Sequence, residues 1–192
     1  TGASNALVEQ VLAGSPADVV VTADEATAKR VVEPGNAPPV AVATNEIALV
    51  VPKGNPGKVR SLKDLSNPDL AVGLCAAPVP CGKYARDLLQ RAGVTVNAVT
   101  EEPDVRSLMA KIVAGELDAA VVYRTDVIAA GSAARQVPVP LAKKIPVRYF
   151  AVVRGRGAEA AAARRHLRAE QFVDYLRGTA RAVTQPAGFG PP

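Results

Sequence analysis

Apolar positions along this 192-residue chain fall into two alternating patterns: short buried runs, and stripes at helical spacing. Leu7, Val8, Val11 and Leu12 recur every three to four positions and predict a helix over residues 4–14, with Ser4 able to cap it and Gly14 to end it. ADVVVTA (17–23) then reads as a buried strand, 25–32 as a helix, and the proline-rich 33–39 as a loop. EIALVV (46–51) is the next strand. Residues 62–65 predict one helical turn behind Ser61, 70–73 a strand, and 83–92 a helix stopped by Gly93. The same reading places a strand at 94–99 and a helix at 104–114 between Asp104 and Gly115. It continues with a strand at 119–123, a short helix at 126–130, a loop at 131–138 and a strand at 149–153. After Gly155 and Gly157, an Ala- and Arg-rich helix is predicted from about Ala158 to Leu176.

Strands alternating with amphipathic helices predict an α/β protein with mostly parallel sheets. The strands at 46–51 and 149–153 bracket a self-contained block. The expected division is therefore a discontinuous first lobe, 1–45 with 154–192, and a second lobe, 46–153. A chain that leaves one body and returns to it builds two lobes, each a sheet flanked by helices, with a ligand site expected in the cleft between them.

Composition narrows the chemistry. Hydrophobic residues make up 48% and charged residues 21%, as in ordinary globular domains, and the net charge of +5 permits an anionic partner without requiring one. No apolar run reaches the ~20 residues of a membrane span. No leader precedes the first helix, so the chain reads as mature or truncated. With one histidine, His166, a histidine-based zinc or haem site is disfavoured. His166 stands among Arg164, Arg165 and Arg168 and reads as an exposed, solvated side chain. No phosphate loop, GxSxG elbow or HExxH is present, and Cys81 has no convincing base, so no enzyme is predicted. Asp18, Asp24 and Asp126 stand at strand ends, where they could hold a metal but more commonly cap helices or brace loops. The basic stretch 154–168 lacks interleaved aromatics and does not predict nucleic-acid binding.

The remaining candidates are helix starts after loops: Ser4, Gly82 behind PVPC, and Asp104-Val105. Each start leaves backbone N–H groups outside the helical ladder, and the local dipole favours an anion. If several converged, they would hold a small oxyanion without lysine or arginine.

Five segments carry a resemblance: GASNALVEQVLAGSPADVVVTADE, ATNEIALVVPKGNP, LAVGLCAAPVPCGKYARDLL, EEPDVRSLMAKIVAGELDAAVVYRTDV and YFAVV. In this order they are similar to the periplasmic molybdate-binding proteins of ABC transporters. The resemblance implies a two-lobed periplasmic-binding-protein fold of type II. It implies a monomeric, extracytoplasmic receptor, periplasmic or at the cell surface and in some members lipid-anchored. Such a receptor captures molybdate or tungstate, needs no cofactor, and delivers the anion to an ABC permease. It further implies a ligand shell of neutral donors. Ser4 would give its hydroxyl and amide, Cys81 and Val105 their backbone N–H groups, and Tyr123 its phenol; Asn5, beside Ser4, joins them. Cys81 stands where the family usually has alanine.

The resemblance also marks a departure. The family opens with a strand, a serine-bearing loop and a helix, roughly 35 residues that have no counterpart here, and the chain is expected to be a fragment of a longer protein. In an extracytoplasmic protein, Cys75 and Cys81 are expected to form a disulfide that stiffens the loop before the second helix start. The rival readings are the effector-binding domain of a cytosolic transcription regulator, which would need a helix-turn-helix head, and a receptor for another tetrahedral oxyanion such as sulfate.

Overall fold

The computed structural model describes residues 1–155 and 160–192. They form two compact units, Thr1–Thr44 with Val147–Pro192, and Asn45–Pro146.

In the first unit, α1 (Ser4–Leu12), β1 (Val19–Thr22), α2 (Glu25–Lys29) and β2 (Val40–Asn45) come from the N-terminal part of the chain. β2 was not expected from the sequence. The second unit begins with β3 (Ile47–Pro52), a 3-10 turn at Leu62–Ser66, β4 (Val72–Cys75) and α3 (Pro80–Ala92). It continues through β5 (Thr100–Glu102), α4 (Val105–Ala114), β6 (Ala119–Tyr123), α5 (Arg124–Ala130) and β7 (Ala134–Val137). The chain then returns to the first unit with β8 (Val147–Val153), α6 (Ala160–Arg177) and the short α7 (Arg181–Thr184). The expected start of the last long helix, at Ala158, lies outside the described residues.

Four expectations are corrected. The sheets are mixed rather than mostly parallel: β3 runs antiparallel to both β6 and β7, and β1 antiparallel to β8, while β4 is parallel to β5 and β6. The strand expected at 94–99 lies instead at Thr100–Glu102, where Glu101 pairs with Leu74. The stretch read as a loop at 131–138 contains β7, an edge strand beside β3. Finally, the strand assigned to the second lobe at 149–153 belongs to the first unit, because Val19–Thr22 pair with Phe150–Val153.

Strand position explains strand composition. In the second unit the order is β5-β4-β6-β3-β7, and every residue of β3, β4 and β6 is buried. These strands are covered on both faces and therefore read as continuous apolar runs. In the first unit the order is β1-β8-β2, and β8 shows the two-residue period. Val152 packs with Val8, Val20, Ala28 and Val31 on one face, and Ala151 with Val42 and Val173 on the other. The segment ends are tied to this sheet. Glu33 accepts from Arg154 Nη2 at 2.5 Å and from Gly155 N at 3.1 Å, and Thr44 exchanges two backbone hydrogen bonds with Gly190.

The helix stops follow the sequence signals. α3 ends at Gly93 with φ +63°, and α4 at Gly115 with φ +74°, the left-handed conformation that glycine adopts without a Cβ penalty. Asp24 caps α2 by accepting from Thr27 N at 2.6 Å.

A candidate oxyanion site built from helix starts

In the first unit, Ser4 is the first residue of α1, and no side chain caps that helix start. Its Oγ accepts from Ala23 N at 3.1 Å. With an acceptor position of the hydroxyl taken by the protein, its own proton is left to donate. Asn5 follows in the same turn. Its Oδ1 is buried with no hydrogen-bond partner among the described residues, an arrangement that costs free energy as it stands. Turned over, the amide would present Nδ2 as a donor at that place.

In the second unit, the turn from β4 into α3 is tightly built. Ala76 N donates to Glu102 O at 2.8 Å, and Val79 N to Ala76 O at 3.0 Å. Pro80 occupies the first helical position, where its missing N–H costs nothing. The helix thus begins earlier than residue 83, and Cys81 and Gly82 lie in its first turn, buried, with no side-chain cap. A Cβ on Gly82 would collide with the Ala76 carbonyl oxygen and stand 2.6 Å from that of Cys75. Arg86 braces the turn: Nη1 donates to Cys75 O at 2.8 Å and to Gly82 O at 3.2 Å, and Nη2 meets Glu101 at 2.6 Å.

Cys75 and Cys81 are free, buried thiols here, which corrects the expected disulfide. They share a hydrogen bond instead of a covalent link, and the Cys81 thiol also donates to Val121 O at 3.5 Å. The Cys75 contact, followed by burial, pushes the Cys81 thiol well above the usual range. A thiol so held is protonated and not nucleophilic.

The third helix start carries its own acidic cap. Asp104 Oδ1 accepts from Ser107 N at 2.8 Å, which leaves the amide of the half-buried Val105 at the first position of α4.

Tyr123 closes β6. It is buried, its ring meets Tyr84 of α3 edge-on at 6.5 Å, and its N–H donates to Asp126 Oδ2 at 3.1 Å. Burial pushes the Asp126 carboxyl up to about 6, against the opposing pull of the Tyr123 hydrogen bond and of Arg106. The charge of Asp126 is felt in turn at the Cys81 thiol. Cys81, Tyr123 and the start of α4 therefore share one electrostatic neighbourhood, with Asp126 within it. Ser4 and Asn5 form a separate pair in the first unit.

Sequence reasoning missed two contributors, the Tyr84 ring and the Arg86 brace; Asp126, read as a carboxylate that caps a helix or braces a loop, does cap the start of α5. The lysine-free, proline-led turn PVPCG signalled a helix start but not the close approach that requires Gly82. His166, expected to be solvated, is half-buried, with Nδ1 2.9 Å from Gly155 O and Nε2 3.4 Å from Glu170. Among the described residues, no group of three or more His, Cys, Asp or Glu side chains is placed to hold a metal ion.

Residues 1–190 match the family model described as bacterial extracellular solute-binding protein. The chain belongs to that family. Family members bind a solute rather than transform one. The chain is 33% identical over 192 residues to the molybdate-binding protein ModA of Mycobacterium tuberculosis, covering 98% of this chain and 71% of the relative. ModA of Escherichia coli is 28% identical over 191 residues, with 91% and 70% covered. The periplasmic molybdate-binding protein of Azotobacter vinelandii superposes with a TM-score of 0.76 at 22% identity, covering 100% of this chain and 85% of that one. This solute-binding protein is thus ModA-like in sequence over nearly its whole length, and its α/β fold is that of the type II periplasmic binding proteins.

Proposed function

We propose that this chain captures molybdate or tungstate outside the cytoplasm and delivers it to an ABC permease, with no bond made or broken. The observation that carries the reading is the uncapped, buried start of α3, where the Cys81 amide lies in a turn shaped by Gly82 and braced by Arg86. A tetrahedral dianion suits such fixed, neutral donors, because backbone N–H groups at a helix start favour negative charge without a counter-cation. The proposed shell comprises the Cys81 and Val105 amides and the Tyr123 phenol in the second unit, and the Ser4 hydroxyl with Asn5 in the first. The likeness to ModA supports the choice of anion. The receptor works as a monomer, in the periplasm or tethered at the cell surface by lipid.

Isothermal titration with molybdate, tungstate, sulfate and phosphate tests this. Molybdate and tungstate, nearly equal in size and charge, are expected to bind one-to-one with similar affinity. The smaller sulfate leaves donors unsatisfied and binds more weakly. A preference for sulfate, or no binding of any oxyanion, would reject the reading. Tyr123→Phe removes one hydrogen bond to the anion and is expected to weaken molybdate binding about tenfold, corresponding to ~1.5 kcal/mol. Unchanged affinity would exclude the phenol from the shell.

A further inference from the structure

We propose that Asp126 is an affinity-determining group of this oxyanion site: its carboxyl, placed against the Tyr123 amide and near Cys81 and Arg106, makes capture of a dianion dependent on proton uptake. The inference rests on the reading above and adds a regulation of the same site.

The geometry begins with α5. Asp126 lies in its first turn, and Oδ2 accepts from Tyr123 N at 3.1 Å. It thereby fixes the backbone from which the phenol projects, through a direct hydrogen bond to the main chain of a proposed ligand residue. The side chain is half-buried, so its charge is incompletely screened by water.

The surrounding charges are few. α4 presents Arg106, which acts on Asp126, while Lys111 of the same helix is engaged by Glu102 at 2.9 Å. α3 contributes the Cys81 thiol, which is neutral. β6 contributes Tyr123, and neither β3 nor the Gly131–Ala133 turn carries an acidic or basic side chain. β7 offers Arg135, which is exposed. α5 itself carries Arg124, also exposed.

Among the described residues, Arg106 is the cation that acts on this carboxylate, beside a site meant for two more negative charges. Ionised Asp126 opposes the dianion; neutral Asp126 does not. Burial already holds this carboxyl at about 6, and a bound dianion raises it further. The sign follows from linkage. Affinity is at its full value below the pKa of the free protein, falls as pH rises through it, and levels off above the pKa of the complex.

The test is molybdate titration of the protein and of Asp126→Asn from about pH 6 to about pH 8, in two buffers of different ionisation enthalpy. Asparagine keeps an oxygen to accept from Tyr123 N but cannot titrate. The expected result is an affinity of the unaltered protein that falls about tenfold over this range, with a proton taken up on binding. The variant is expected to show a flat profile and, at the upper pH, affinity equal to or tighter than that of the unaltered protein. A structural role alone would lower affinity equally at every pH. Binding without proton uptake overturns the proposal and leaves the receptor reading standing, as does an Asp126→Asn profile that keeps the slope. If the variant fails to fold, proton uptake by the unaltered protein decides by itself. No binding at any pH overturns the receptor reading, and this inference with it.

Discussion

Gly82→Val is expected to abolish oxyanion binding and to destabilise the second unit by ~3 kcal/mol, near the upper end for overpacking a closed site. The first β-carbon alone would overlap the Ala76 carbonyl oxygen and stand 2.6 Å from the Cys75 carbonyl. Neither obstacle is the free end of a flexible side chain. Cys75 O is held by Arg86, and Ala76 is held by bonds from its own N–H to Glu102 and from Val79 to its carbonyl. The helix start must therefore move away from the turn, and the Cys81 amide moves with it. Gly93→Ala is the control. Its φ of +63° makes alanine unfavourable by about 1 kcal/mol, but nothing stands within 4 Å of a Cβ there, so affinity should persist. Urea unfolding together with molybdate titration separates the two. Wild-type affinity in a folded Gly82→Val would remove the α3 start from the site.

Leu108→Ala is expected to cost about 3 kcal/mol, within the range for deleting a fully buried leucine. Leu108 of α4 is 0% exposed. Its Cδ1 lies 2.7 Å from where a Cβ on Gly73 would stand, so the leucine fills the space this β4 glycine leaves. Leu117 Cδ1 stands 2.5 Å from the same position and shares that space with it. The loss should appear as a lower urea midpoint with little change in slope. A shift below about 1 kcal/mol would mean that α4 settles onto β4 and closes the cavity.

What could be read in advance depended on whether the signal was local. α4 was legible almost to the residue, because Asp104 caps it, Val105, Leu108, Met109, Ile112 and Val113 mark its stripe, and Gly115 stops it; of that stripe, Val113 proves exposed. β6 was legible because five apolar residues in a row suit a strand covered on both faces. β2 and β7 were not. VAVATN follows a proline-rich loop, and ARQV carries two exposed polar residues, so neither shows a run that stands out from its surroundings. Strand direction was invisible as well, since it depends on partners far along the chain, such as Leu49 with both Val121 and Val137.

The site divides along the same line. The helix starts at Ser4, Cys81 and Val105 announce themselves through proline, serine and aspartate chemistry. The role of Gly82 depends on how closely two carbonyls approach, and that of Asp126 on how much water burial removes. Both are properties of packing that no spacing encodes. The expected disulfide failed for a related reason: proximity in sequence and in space is compatible with two thiols sharing a hydrogen bond.

The order β1-β8-β2 has a consequence for how the chain is made. β8 lies between β1 and β2, so the two N-terminal strands gain their shared partner only once residues 147–153 have left the ribosome. The second unit, continuous from Asn45 to Pro146, is complete before that moment. During synthesis the middle of the chain can collapse first, while β1 and β2 await the strand that comes to lie between them. Closing the first sheet across more than a hundred intervening residues is a long-range step, and it is the one expected to set the folding rate.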